Sequence, residues 1–152
     1  MKVEIWSDVM CPFCYIGKRR FEMALEQFKH SMISTSSGKA SSSIPIWKQI
    51  PTRILMTTWP KPKGWSPEQA QQMNQRVTNM AEEVGLTYNM DQAVVANSFD
   101  AHRLIQFAKN EGSDSEMEEA LFKAYFTDGK NIADYETLVA LAVEAGLESG
   151  SG

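Results

Sequence analysis

Lys2-Val3-Glu4-Ile5-Trp6-Ser7-Asp8-Val9-Met10-Cys11-Pro12-Phe13-Cys14-Tyr15-Ile16-Gly17-Lys18-Arg19 is the stretch on which the fold turns. Val3 and Ile5 alternate with Lys2 and Glu4, the period of a short strand, and Trp6 strengthens its end. Ser7-Asp8-Val9-Met10 leaves that strand. Cys11-Pro12 then reads as a helix start, because proline at the first helical position forfeits no hydrogen bond and arrives with a suitable φ. Ile16, Phe21, Ala24, Leu25 and Phe28 recur at helical spacing, so a helix is predicted over about 12–28. Strand, short loop and a helix opening on Cys-x-x-Cys make the first organised unit.

The chemistry of that unit follows from its sulfurs. A thiolate, not a thiol, is the nucleophile in thiol–disulfide exchange. A cysteine at a helix N-terminus meets unpaired backbone N–H groups and the positive end of the dipole, which favour the anion. Cys11 holds that position, and Cys14 lies one turn further on, within reach for an intramolecular disulfide. Cys11 reads as the attacking sulfur and Cys14 as the one that resolves the mixed intermediate. Pro12 removes one backbone N–H, and Phe13 adds an apolar surface beside the pair. Two inert buried cysteines sharing a helix are the bland alternative. A zinc site lacks ligands, since His30 and His102 are the other candidates and there is no second cysteine pair, so no metal is expected.

The 152 residues suit one domain of ordinary size. Hydrophobic residues make up 43% and charged residues 22%, a globular balance rather than a disordered one. Fifteen Lys and Arg against nineteen Asp and Glu give a net charge of -4, so no basic excess exists for nucleic acid. No apolar run approaches the roughly 18 residues of a membrane span. Asp8 and Cys11 arrive before any signal-peptide core could form, and the expectation is a soluble, cytoplasmic protein. Two cysteines are too few for a disulfide scaffold.

The second half reads as helices with local punctuation. Ser66-Pro67-Glu68-Gln69 is a capping box, with Gly85 at the far end and Met73, Val77, Met80 and Val84 along one face. Ser98 is expected to cap a helix through Leu104, Ile105 and Ala108, and Ser115-Glu116-Met117-Glu118 to box another through Leu121, Phe122 and Phe126. Asp134 caps a last helix carrying Leu138, Leu141 and Val143. These make a helical bundle. Residues 31–63 differ: they hold seven serines, no carboxylate occurs between Glu26 and Glu68, and neither strand nor helix period is sustained. An irregular segment is expected there.

Glu4-Ile5-Trp6-Ser7-Asp8 with Cys11-Pro12-Phe13-Cys14-Tyr15-Ile16-Gly17-Lys18-Arg19 closely resembles the start of the DsbA-like thioredoxin-fold oxidoreductases. The branch resembled is the FrnE-like one, often described beside the 2-hydroxychromene-2-carboxylate isomerases. Gly64-Trp65-Ser66-Pro67-Glu68, Asn97-Ser98-Phe99-Asp100-Ala101-His102-Arg103 and Ala124-Tyr125-Phe126 resemble the helical domain which that family inserts into its fold. The resemblance implies an α/β, thioredoxin-like fold with an inserted helical domain, mostly α in this chain. It divides the chain into a thioredoxin-like β-α unit (1–30), the irregular segment (31–63), the inserted helices (64–148) and a tail (149–152). It also implies disulfide exchange with protein or small-molecule thiols, with Cys11 as nucleophile and Cys14 as resolving thiol. No tightly bound cofactor is implied, and glutathione is a candidate co-substrate.

Two departures from the family pattern carry expectations. The family's second strand should fall in the Ser-rich stretch, where a shifted reading frame would permit Ile-Val-Trp-Lys-Ser-Phe-Gln-Leu-Asp-Pro. Residues 31 to about 63 are therefore expected to be translated out of frame. The family also returns to its sheet with two strands, a cis-proline loop and a final helix, whereas no proline follows Pro67 here. A truncated chain, with its first strand short of a sheet, is the corresponding expectation.

Other residues draw two readings each. His102, beside Arg103, suits a substrate-side or pKa-tuning role, or a structural histidine. Asn97 and Ser98 could hold a small ligand, although capping explains Ser98 more simply. Asp8 and Lys18 could tune the cysteines by charge or sit on a solvated surface. The methionines read as core filler. Within enzymes the competing function is a glutathione-dependent isomerase or transferase, against which the paired cysteines argue. Outside enzymes it is a non-catalytic helical remnant.

Overall fold

A computed structural model of the chain describes residues 2–27, 34–40 and 66–147. Strand β1 (Lys2–Ser7) runs into helix α1 (Pro12–Gln27), and strand β2 (Ser34–Ala40) returns parallel to β1. A parallel pair needs a crossover connection, and α1 supplies it. The register runs from Lys2 opposite Ser34 to Ser7 opposite Ala40, with an irregularity between Glu4 and Trp6. The irregular reading of 31–63 is thus corrected over residues 34–40, and β1 has a partner there. Backbone pairing is indifferent to side chains, so a serine-rich segment without apolar alternation can still complete it. The remainder of 31–63, and with it the expectation of a shifted frame, lies outside the described residues.

Helices α2 (Pro67–Glu82), α3 (Phe99–Asn110), α4 (Asp114–Phe126) and α5 (Tyr135–Glu144) follow. The α2 capping box forms as read. Gln69 N donates to Ser66 Oγ at 3.3 Å, and Ser66 N donates to Gln69 Oε1 at 2.9 Å. At the other end Gly85 takes φ 76° and Leu86 N donates back to Ala81 O at 2.9 Å, a left-handed stop that a Cβ would oppose. Asp134 caps α5 through Thr137 N at 2.9 Å. Two caps differ from expectation. Asn97 Oδ1, not the Ser98 hydroxyl, accepts from Phe99 N at 2.9 Å, and α4 starts behind Ser113 rather than at Ser115.

Helix α4 is the centre of the core. Met117, Leu121, Phe122, Ala124, Tyr125 and Phe126 are all buried, so the helix hides most of its circumference. Helix α1 lies against it through rings: Tyr15 stacks on Phe122 with centroids 4.7 Å apart, and Tyr88 stacks on Phe126 at the same separation. A polar clamp flanks the stack. Glu119 of α4 accepts hydrogen bonds from Tyr15 Oη at 2.6 Å, from Lys18 Nζ at 2.9 Å and from Arg19. Burial pushes the Glu119 carboxyl up, but these three donors outweigh it and hold it below its usual range. Met10, Met90 and Met117 are buried as core filler, whereas Met23 and Met73 are exposed. Among the described residues, no helix is long and apolar enough to cross a membrane.

Candidate functional site

The loop after β1 turns inward. Ser7, Asp8, Val9 and Met10 are all buried, and Val9 is inaccessible to solvent. Asp8 shapes the turn: its Oδ1 accepts from Met10 N at 3.0 Å and its carbonyl from Cys11 N at 2.9 Å. Cys11 is thereby delivered to the N-terminus of α1. Cys14 N donates to Cys11 O at 3.0 Å, the first turn of the helix. Both cysteines are free thiols, and both are half-buried. Phe13, between them in sequence, is 49% exposed, while Pro12 is buried.

Electrostatics separates the two sulfurs. The Cys14 thiol donates to Cys11 Sγ, and this is the largest influence on Cys11, which is pulled down from 9.0 to about 6. Burial opposes that shift, the backbone N–H groups of Cys14 and Phe13 reinforce it, and the Asp8 carboxylate opposes it. Cys14 is driven strongly upward, first by the hydrogen bond its thiol donates to Cys11 and then by burial. The backbone N–H of Asp8 and the Ser7 hydroxyl act in the other direction on Cys14. Near neutral pH the arrangement is one thiolate at the helix start with a thiol holding it.

The helical half grips this loop at two points. Tyr88 Oη donates to Pro12 O at 2.7 Å in a buried bond, which pins the first turn of α1. His102 of α3 is 7% exposed and brings Nε2 to 3.4 Å from Asp8 Oδ1. Its Nδ1 and the Tyr125 hydroxyl are buried without a hydrogen-bond partner in the structure. Burial, then the Asp8 carboxylate, pushes the Tyr125 hydroxyl upward.

Cys11, Pro12, Phe13 and Cys14 stand together at the start of α1, and His102 meets the loop that precedes them at Asp8. Asn97 lies just before α3, where its side chain accepts from Phe99 N, five residues ahead of His102. The surface reading of Asp8 is corrected, because its side chain lies against His102 and Met10 N. Lys18 is engaged with Glu22 and Glu119. Ser7 and Tyr88 also neighbour the pair, and no local motif announces them. Among the described residues no group of three or more His, Cys, Asp or Glu could hold a metal ion.

Residues 2–151 match the family model described as the DSBA-like thioredoxin domain. The chain is 27% identical over 150 residues to the protein YwbO of Bacillus subtilis, covering 98% of this chain and 68% of YwbO. It superimposes with a TM-score of 0.90 and 35% identity on the crystal structure of a probable DsbA oxidoreductase from Streptomyces coelicolor. That match covers 98% of this chain and 64% of the Streptomyces one, so the chain spans about two thirds of the length of these relatives. The chain belongs to the DSBA-like thioredoxin domain family.

Proposed function

We propose that the chain is a thiol–disulfide oxidoreductase that exchanges disulfides with protein or small-molecule partners through Cys11 and Cys14. One observation carries the reading: Cys11 sits at a helix start and is drawn to about 6 by the thiol of Cys14, one turn away. At neutral pH such a sulfur is mainly thiolate and attacks a partner's disulfide. One partner sulfur leaves as a thiolate, and the other is held on Cys11. Cys14 then displaces it, forming the Cys11–Cys14 bond and releasing the second thiolate. The partner gains two electrons and the cysteine pair loses two. Phe13 gives the entrance an apolar surface for the partner, and glutathione is a candidate small-molecule thiol. Family membership and the Streptomyces relative's description as a probable DsbA oxidoreductase support the reading.

Two measurements test it. Thiolate absorbance in the ultraviolet is expected to rise with a midpoint near pH 6, and Cys11→Ser to abolish that transition. In the second, the chain is expected to accelerate reduction of insulin by dithiothreitol, with the acceleration lost in Cys11→Ser. A Cys11 midpoint near 9, or acceleration that survives the substitution, would overturn the proposal.

A further inference from the structure

We infer that Tyr88 is a positioning residue for the attacking sulfur. Its hydroxyl donates to the Pro12 carbonyl and so polarises the Pro12–Phe13 peptide, whose N–H stands at the start of α1 beside Cys11. The inference deepens the disulfide-exchange reading above and takes its functional meaning from it.

The helical half holds this hydroxyl in place. Tyr88 is 5% exposed, and its Oη meets Pro12 O at 2.7 Å in a buried bond. Its ring stacks on Phe126 of α4 at 4.7 Å and lies 6.1 Å from Tyr15 of α1, within 22° of parallel. The backbone around it is strapped to the end of α4. Asn89 N donates to Phe126 O at 2.7 Å, Asn89 Nδ2 to Thr127 O at 2.7 Å, and Thr127 Oγ1 to Thr87 O at 2.7 Å. The neighbours on either side of Tyr88 are thereby fixed, and its side chain spans from the bundle to the first turn of α1.

What the bond does follows from the covalent structure of a helix start. The carbonyl of Pro12 and the N–H of Phe13 belong to one planar peptide group. A hydrogen bond accepted by the carbonyl draws electron density from the nitrogen and makes that N–H a stronger donor. In the first turn of a helix such an N–H has no partner within the helix, and the side chain of the capping residue is what it meets. Cys11 holds the capping position. The Phe13 N–H is one of the backbone groups that already lower Cys11, so strengthening it favours the thiolate. The hydroxyl is a donor throughout: burial first, then the charges of Tyr15, Cys11, Cys14 and Glu119, push it well above the usual tyrosine range. It keeps its hydrogen wherever Cys11 titrates.

The consequence is a redox one. When two glutathione thiols reduce the Cys11–Cys14 disulfide, that S–S bond breaks and the S–S bond of oxidised glutathione forms. Two electrons pass to the chain, Cys14 keeps one proton, and the other goes to water because Cys11 remains a thiolate. Whatever steadies that thiolate favours the reduced chain, so Tyr88 makes the pair a stronger oxidant.

Tyr88→Phe tests the assignment, since it keeps the ring stack and leaves Pro12 O its helical partner, the N–H of Ile16. In ultraviolet titration Cys11, at about 6 in the wild type, is expected to become about threefold weaker as an acid. In buffers of reduced and oxidised glutathione at neutral pH, the equilibrium should move toward the disulfide by about the same factor, because both measurements read one thiolate. A fluorinated tyrosine in place of Tyr88, a better donor of nearly the same size, should move both the other way. Tyr15→Phe is the packing control: its hydroxyl serves Glu119, so Cys11 should titrate there as in the wild type. An unchanged Cys11 midpoint in Tyr88→Phe, an equal rise in Tyr15→Phe, or a rise that the glutathione equilibrium does not follow would overturn the role of Tyr88 alone. A wild-type chain that does not equilibrate with glutathione would overturn the disulfide-exchange reading instead, with the titrations still deciding for or against Tyr88.

Discussion

Cys14→Ala is expected to leave the chain able to attack a disulfide but unable to let go of it, so that a mixed disulfide at Cys11 accumulates and turnover stops. The same substitution should weaken Cys11 as an acid. The donor that contributes most to its low value is the Cys14 thiol, and only the backbone N–H groups of residues 13 and 14 would remain. Losing one good donor to an anion makes the thiol roughly ten- to a hundredfold weaker. Cys14→Ser is the informative companion. Its hydroxyl can still donate, so Cys11 should stay closer to about 6, although this variant cannot resolve the adduct either. Ultraviolet titration of the two variants side by side checks this, and identical midpoints would refute the assigned role of the donor.

The sign of the associated stability change follows from the direction of the shift. Cys11 titrates lower in the folded chain than the ordinary 9.0, so its contribution to stability is complete above that value. It declines as pH falls and vanishes below about 6. The reduced chain should therefore become harder to unfold as the solution is made more alkaline through that window. In Cys14→Ala the window narrows from its lower edge.

The largest effect on stability is expected from Phe122→Ala. Phe122 is wholly buried, and its ring lies within 5° of parallel to Tyr15 at 4.7 Å and 6.3 Å from Phe126. Removing it opens a cavity between α1 and α4 and should cost about 3–5 kcal/mol. Equilibrium unfolding in urea followed by circular dichroism measures it. A loss below about 1 kcal/mol would mean that the stacked rings are not what seats α1, since that value is ordinary for a surface site. Phe122→Leu, which keeps most of the apolar volume, should fall well short of the alanine variant.

What the sequence discloses and what it conceals divides by the range of the interaction. Ser66 with Gln69 and Asp134 with Thr137 are partners three residues apart, and so is the Cys11–Cys14 pair. Such contacts are written in consecutive letters. Ser98 stands at the start of α3 as read, but the side chain that bonds there is Asn97, because both are good caps and only geometry decides between them. Strand β2 was missed because its pairing with β1 uses the backbone alone. The bond from Tyr88 to Pro12 spans 76 residues and the approach of His102 to Asp8 spans 94, and nothing local foreshadows either. The burial of Asp8 follows from that second contact, so its removal from the surface was illegible for the same reason.

Glu119 gathers Tyr15, Lys18 and Arg19 onto one side chain. A single hydrogen ion taken up there would slacken all of them together, and its depressed affinity means this happens only in distinctly sour solution. In acid, then, the cysteine-bearing segment should keep only its ring stack and the Tyr88 bond to the bundle, and open more readily than the remaining helices.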